Sequence, residues 1–544
     1  MTIKKKTTRP SPKVIQRDVA DKEKVIKKGH LPLVLIILDG WGLSKIKEGN
    51  AIALAKTPIM DGLYKKYPNT QLGAFGRHVG LSADQPGNSE AGHMNIGAGR
   101  VVEQDTMVIS RSISNGTFFK NPAFLQAAQH AIKNNSDIHL MGLLSDGRSP
   151  HSDNDHLIAL INFFLSKTKQ NIFIHLFTDG RDSAMFTALK ILNRNKIIFN
   201  NQRVKIASVM GRFYAMDRRR AWSRTQKAYE AMVLGKGLAV PNAIEAINQA
   251  YNRGESDEFI PPSIIVNEKK KPVGMIACND AVVFFNLRSD RARQLCKSFV
   301  QKNFIKDNPG AFKRTKMVDN LLFVALTDFG PDLDNIITAY PGIDVPDTLV
   351  HTLRDWRQVY IAETEKYAHM TYFFNGGYDH PVAGETRINI PSVEVDSYDK
   401  KPAMSTRAVM QQVLDYIKDD RFDFVAINFA SPDMIGHTGN LEAAVKAVQI
   451  VDQAVGRIVK AVLSRQGTVL ITADHGNVEE MINVETGEII TRHSSNFVPF
   501  VMVSRHHNFK LKKNGELANI APTILDLFQI NKPSSMSSQS LIDQ

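Results

Sequence analysis

Short continuous apolar runs alternate along the chain with longer amphipathic segments, and several of the runs close on an aspartate. Leu31 to Leu38 is the first of them. It reads as a buried strand with Asp39-Gly40-Trp41-Gly42 at its carboxyl end, where open α/β sheets collect their chemistry. Thr57 followed by Pro58 predicts a capped helix running to about Lys66, and Thr70 to Ala74 predicts another strand. A second series lies between Gln104 and Tyr340, with strands expected at Ile138 to Leu144, Ile172 to Phe177, Val204 to Met210, Val282 to Leu287 and Leu321 to Leu326. Asp328 to Asp334 and Tyr340 to Pro346 carry the proline and glycine density of a hinge. The third series expects strands at Phe422 to Asn428, Thr468 to Thr472 and Val498 to Val503, a long helix over Leu441 to Leu463, and a helix over Ala518 to Phe528. This alternation predicts an α/β fold.

Between the first strands and the second series stands Asp84 to Arg100, in which Ser89 is set among Gly87, Gly92, Gly97 and Gly99. Such a backbone can turn sharply and approach an anion closely, so the Ser89 hydroxyl is a candidate nucleophile. Glycine-rich serine loops are also ordinary turns, and the choice depends on what the rest of the chain supplies. Asp433 and His437 stand one helical turn apart beyond an apolar strand, Asp474-His475 follows Thr468 to Thr472, and His493 precedes Val498 to Val503. Carboxylate oxygen and imidazole nitrogen suit hard and borderline divalent ions. With Asp39 these residues make six protein ligands, more than one open catalytic ion needs, so two metals are expected. A pair about 3.5 to 4 Å apart can serve both oxygens of a phosphoryl displacement and lower the pKa of a serine hydroxyl. Ser89 then becomes plausible as the nucleophile.

Asp39 and Ser89 precede the second series, whereas the other ligands follow it. If all meet at one site, residues 31–103 and 341–544 form one discontinuous metal-binding domain, and 104–340 is an inserted α/β domain. The insertion places arginines after its apolar runs, in Ser145 to His151, Thr178 to Asp182, Gly211 to Arg218 and Asn286 to Arg291. Several converging guanidinium forks suit a small polyanionic substrate. A simple phosphatase needs no such second domain, whereas an enzyme that must retain a dephosphorylated acid does.

Composition narrows the setting. The net charge of +13 invites a nucleic-acid reading, but ten Lys/Arg against three Asp/Glu fall in the first 30 residues. That excess reads as a basic, solvated, disordered tail, with no specific nucleic-acid partner. No run approaches the roughly 18 apolar residues of a membrane span. Cys278 and Cys296 cannot form a disulfide framework, and a cytoplasmic enzyme is expected.

Six motifs, in order, resemble one family: Leu38-Asp-Gly-Trp-Gly42, Gly87-Asn-Ser-Glu-Ala-Gly-His-Met-Asn-Ile-Gly-Ala-Gly99, Thr178-Asp-Gly-Arg-Asp182, Glu363-Thr-Glu-Lys-Tyr-Ala-His369, Phe373-Phe-Asn-Gly-Gly377 and Thr472-Ala-Asp-His-Gly-Asn477. The chain resembles a cofactor-independent phosphoglycerate mutase of the alkaline-phosphatase-like superfamily, from about Leu31 to near the C-terminus. The resemblance implies interconversion of 3-phosphoglycerate and 2-phosphoglycerate in glycolysis and gluconeogenesis, without 2,3-bisphosphoglycerate, by a monomer. It implies that Asp433, His437 and His493 hold one metal, typically manganese, and that Asp39, Ser89, Asp474 and His475 hold the other. Ser89 would become a phosphoserine. Lys366 would stabilise the transferring charge, and Arg288 and Arg291 would engage phosphate. Asp182 would be the general base, with His151, Arg181, Arg212 and Arg218 orienting the acid. The chain departs from the family pattern at one extra residue before His151, at Arg219 and Ala221 (commonly Asp and Arg), and at Leu287 and Ser289 (commonly Phe and Pro). Two other readings remain at this level: a metal-dependent phosphatase or other phosphomutase of the same superfamily, and a basic nucleic-acid-binding protein on a degenerate enzyme core.

Overall fold

The computed structural model describes residues 32–543, apart from Asp84, Arg148, Asn200, Pro331, Asp332, Asp334, Ile343 and residues 506–508. The basic tail, Arg148 of the Ser145 to His151 stretch and part of the Asp328 to Asp334 hinge therefore lie outside the described residues.

Two eight-stranded sheets organise the α/β fold. In the first, the strands run in the order Thr386–Ile390, Gln358–Glu363, Phe424–Phe429, Leu33–Leu38, Thr468–Thr472, Val498–Val503, Asn69–Gly73 and Gly515–Glu516. Leu33–Leu38 is parallel to the neighbour on each side, in the registers Leu38↔Phe429 and Ile37↔Thr472. Every residue of this strand is buried, as expected for a central parallel strand covered on both faces. At roughly 1.5–3 kcal/mol per buried Leu, Val or Ile side chain, it is one of the main anchors of the core. The register also sets Asp39, the Ser431–Gly436 helix and Asp474 side by side along one edge of the sheet. Val498–Val503 runs antiparallel to Thr468–Thr472, so the segment leading into it, which holds His493, arrives at that same edge.

The second sheet has the order Ile337–Tyr340, Leu322–Thr327, Ala281–Phe284, Ile138–Leu144, Ile172–Thr178, Val204–Gly211, Ser263–Ile265 and Leu238–Val240. Alternate residues face two separate cores. Ile138, Leu140 and Leu144 pack in one, Met141 and Leu143 in the other. All of its strands come from the middle of the chain, and all strands of the first sheet come from before or after them.

Some elements differ from the sequence reading. The glycine-rich stretch around Ser89 is not a loop but a helix, Ser89–Ala98, with Asn88 as its N-cap accepting from the Ala91 N–H at 2.9 Å. Gly92 and Gly97 sit inside it because nothing larger fits. A Cβ on Gly92 would lie 2.5 Å from the Asp474 carbonyl oxygen, and one on Gly97 would overlap the Phe374 carbonyl. The strands Gln358–Glu363 and Thr386–Ile390 and the helix Thr406–Lys418 were not anticipated. Thr57 precedes the Pro58–Lys66 helix without capping it; its hydroxyl meets Asp61 instead.

Candidate active site

The carboxyl edge of the first sheet gathers Asp39, Asp433, His437, Asp474, His475 and His493 around Ser89. Ser89 is the first residue of its helix, so its hydroxyl stands at the positive end of the helix dipole, where phosphoryl charge is favoured. Its Oγ lies 2.9 Å from His475 Nε2, 3.4 Å from Asp39 Oδ1 and 2.7 Å from the Lys366 ammonium. Lys366 is buried and uses its other protons on Asp39 Oδ1 and Asp433 Oδ2, each at 2.6 Å. Burial pulls its pKa down, but Asp39, Asp433 and Asp474 more than offset this and hold it above the ordinary lysine value.

The histidines share one arrangement. His437 Nδ1–H donates to the Thr491 carbonyl at 2.7 Å, and His493 Nδ1–H to the Gly87 carbonyl at 2.8 Å. Both Nε2 atoms turn inward, 3.0 Å from each other and 3.4 and 3.3 Å from Asp433 Oδ1; burial pulls the His437 pKa down, but Asp433 more than offsets this and holds it above the ordinary value. His475 Nδ1 faces the Gly476 carbonyl at 3.2 Å, which turns its Nε2 toward Ser89, Asp39 and Asp474. Burial and the adjacent His475 push the His493 imidazole down to about 4, so it is neutral near pH 7.

Lone pairs thus converge with too few protons between them. Asp474 Oδ2 is buried without a hydrogen-bond partner among the described residues. Burial and the nearby Asp474 push the Asp39 carboxyl up to about 6. Such a donor set fits divalent cations, whose charge would satisfy what the protein leaves unpaired. The donor atoms of Asp433, His475 and His493 fall within 4.8 Å of one another, as do those of Asp39, His93 and Asp474. His475 therefore stands between the two groups, close to Asp39 and Asp474 by its Nε2 and stacked on His493 with ring centroids 3.9 Å apart.

His93 escaped the sequence reading, although it lies one helical turn from Ser89. Its Nδ1–H donates to the Ser89 carbonyl at 2.8 Å, and its Nε2 meets the Asn428 amide at 3.1 Å. Both ring nitrogens are engaged, so His93 orients the site rather than offering a lone pair to a metal. Asn428 donates to Asp39 Oδ2 at 2.7 Å, and Asn477 donates to Asp433 Oδ1 at 2.8 Å. These amides aim the carboxylates, as outer partners of metal ligands do. Only the helical spacing of Ser89 and His93 could have signalled any of them in advance.

The residues of the second sheet form a separate group facing this one. Arg181, Arg212, Arg218 and Arg291 line one cavity together with Arg219 and Arg224. Buried Arg212 contacts Asp179 and Asp182, each at 2.5 Å. Burial raises the Asp182 carboxyl, but Arg212 and then His151 hold it well below the usual carboxylate range. His151 lies 3.8 Å from Asp182, and burial and Arg212 push its imidazole down to about 3. Arg218 pairs with Asp290 at 2.8 Å, and exposed Arg181 lies 3.9 Å from Glu258. Burial, followed by the crowding of Arg218, Arg212 and Arg181, lowers Arg291 to about 9, the mark of a cluster arranged for anions. Arg288 does not line this cavity. It lies in the neighbouring cleft beside Asn88 and Glu90, and its guanidinium pairs with Glu90 at 2.8 Å.

Residues 31–532 match the family model of the Metalloenzyme superfamily. The 2,3-bisphosphoglycerate-independent phosphoglycerate mutase of Clostridium kluyveri is 46% identical over 517 residues, 94% of this chain and 100% of that one. The enzyme of the same name from Clostridioides difficile is 45% identical over 521 residues, 94% and 99% of the two chains. The crystal structure of Leishmania mexicana phosphoglycerate mutase at low cobalt concentration superposes with a TM-score of 0.81 at 28% identity, covering 96% of this chain and 99% of that one.

Proposed function

The chain belongs to the 2,3-bisphosphoglycerate-independent phosphoglycerate mutase family and interconverts 3-phosphoglycerate and 2-phosphoglycerate; from that premise we propose that it does so through a phosphoserine at Ser89. The observation that carries this reading is the setting of the Ser89 hydroxyl, at a helix N-terminus between an imidazole nitrogen and a buried ammonium.

Asp433, His437 and His493 would hold one divalent cation, and Asp39, Ser89, Asp474 and His475 the other, with manganese as the expected ion. When bound, the pair supplies Lewis-acid charge and lowers the pKa of the serine hydroxyl. The chain's own groups do the rest. The Ser89 oxygen forms its bond to phosphorus as the phosphorus–oxygen bond to the glycerate breaks, and the proton that the serine gives up balances the one that the departing glycerate oxygen takes up. Lys366 offsets the charge that develops on the phosphoryl oxygens. The freed glycerate stays in the arginine-lined cavity, held by its carboxylate, and turns to present its other hydroxyl. Asp182 takes the proton of that hydroxyl as its oxygen attacks the phosphoserine, and the Ser89 oxygen leaves. Arg212 keeps Asp182 ionised but weakly basic, so a glycerate carboxylate that draws Arg212 away makes Asp182 a better base at the moment it is needed.

We place the reaction in glycolysis and gluconeogenesis, in a monomer in the cytoplasm with no nucleic-acid partner; no helix of the described residues is long and apolar enough to cross a membrane. The test is metal-loaded protein given 3-phosphoglycerate and no bisphosphoglycerate. Formation of 2-phosphoglycerate is expected, with a phosphate found on Ser89 by mass spectrometry after rapid quench. Ser89→Ala should lose both. Release of inorganic phosphate with no 2-phosphoglycerate would sink the mutase reading, and an active Ser89→Ala enzyme would sink the serine mechanism.

A further inference from the structure

The one residue that follows the nucleophile in its helix points the other way. Ser89 faces the metal-ligand cluster, whereas Glu90 faces the cleft between the sheets, among Asn88, Gln104, Asp105, Thr106, Pro150, Leu287 and Arg288. Its Oε2 lies 2.8 Å from Arg288 Nη2, and both side chains are about three-quarters buried, at 24% and 23% exposure. Glu90 belongs to the first sheet's domain and Arg288 to the second, so this ion pair is a direct side-chain tie across the cleft, one residue from the atom that takes the phosphoryl group.

The arginine end of the tie is firmly based. The Leu287 N–H donates to the His151 carbonyl at 2.8 Å, and the Thr327 hydroxyl donates to the Leu287 carbonyl at 2.6 Å. The backbone beside Arg288 is thereby joined to the His151 segment, whose imidazole stands beside Asp182. The Arg288 charge is felt by groups on both sides, at Glu90 and His369 in one domain and at His151 and Asp182 in the other. Arg181, Arg212 and Arg218 pair instead with acids of the insertion itself.

We propose that Glu90 is a positioning residue: it docks Arg288 beside Ser89, and a phosphoryl group then replaces the carboxylate as the partner of that guanidinium. The proposal rests on the mutase reading and extends it to a residue the reaction does not consume. A guanidinium carried into a partly dry cleft needs an anion, and Glu90 supplies one before the substrate does. The exchange has two opposite consequences. Until the phosphoryl group arrives, Glu90 holds the second domain against the nucleophile, which favours turnover. It also competes with phosphate for Arg288, which weakens binding of the substrate.

Removing the charge therefore separates two constants that a merely structural residue would move together. In metal-loaded Glu90→Gln, kcat should fall about tenfold, as for loss of one partly buried charge pair, while KM stays the same or drops. Glu90→Asp keeps the charge one methylene back and should recover part of the rate, and it serves if Glu90→Gln does not fold. In an Arg288→Ala background the Glu90→Gln change should cost little more in kcat, because the tie is already gone. A Glu90→Gln enzyme with wild-type kcat, a rise in KM alone, or additive losses in the double variant would overturn the proposal. Wild-type protein that forms no 2-phosphoglycerate would instead overturn the mutase reading, whatever the variants do.

Discussion

Replacing Gly92 by alanine adds one methyl group at the point where the Ser89–Ala98 helix presses on the Asp474 segment. The new Cβ would stand 2.5 Å from the Asp474 carbonyl oxygen and 2.8 Å from Asp474 Cβ, against 3.4 Å for an ordinary contact, so about 0.9 Å must be found. The neighbour is backbone and cannot swing aside. Either the Ser89–Ala98 helix withdraws, moving Ser89, or Asp474 does. In an exposed helix the same change would stabilise by about 1 kcal/mol, but overpacking against an unyielding wall costs about 1–3 kcal/mol. The net expectation is a destabilisation of about 0–2 kcal/mol. Activity should suffer more than stability, because a displacement approaching 1 Å at the reacting groups can cost about 100-fold in rate. The assay is conversion of 3-phosphoglycerate to 2-phosphoglycerate by metal-saturated protein, with a thermal melt of the same sample. A Gly92→Ala enzyme with wild-type kcat and an unchanged melt would refute the claim that this contact sets the distance between Ser89 and Asp474.

Other expectations are simpler to state. Dialysis against a chelator should abolish turnover and lower the melting temperature, and manganese should restore both; activity that survives exhaustive chelation would remove the case for ligation by Asp39, Asp433, His437, Asp474, His475 and His493. Acid should destabilise the protein through His151, whose imidazole is held down to about 3 from the usual 6.5. Below about pH 6.5 the unfolded chain binds a proton that the native chain refuses, so stability falls as pH drops, by at most about 1.4 kcal/mol per unit from this one group. Urea denaturation at pH 7 and pH 5 should show a shallower loss for His151→Asn than for wild type, and equal slopes would show that His151 is not responsible. Deleting residues 1–30 should leave kcat and KM within twofold of wild type while abolishing any salt-sensitive binding to DNA, whereas a mutase that needs its basic tail would lose turnover.

What could be read from residues alone depended on how far apart the partners lie. Asp39 and Asp474 were legible because each ends a continuous apolar run, and a buried parallel strand of that kind leaves its carboxyl end at the working edge. The helical character of Ser89–Ala98 was hidden by its glycines, which lower helix propensity. They are explained only by Asp474 and Phe374, far along the chain and close in space. With the helix went His93, and with the strand pairing went Asn428, whose amide reaches Asp39 only because Leu33–Leu38 lies beside Phe424–Phe429. Arg288 was assigned to phosphate by resemblance, but no pattern in the chain links it to Glu90, almost two hundred residues earlier. Strand ends follow from local composition, and the identity of what meets there follows from topology.

The place of Leu33–Leu38 in its sheet also bears on how the protein is made. The strand leaves the ribosome first, yet both of its partners, Phe424–Phe429 and Thr468–Thr472, are encoded near the other end of the message. At about 5–20 residues per second, it waits roughly 20–80 s for the first of them. During that interval the middle of the chain, whose sheet is contiguous in sequence, can complete its own hydrogen bonding, while six consecutive apolar residues stay unpaired beside it. The edge that carries Asp39 thus cannot assemble until Phe424–Phe429 and Thr468–Thr472 have been made, and for most of synthesis Leu33–Leu38 is a bare strand.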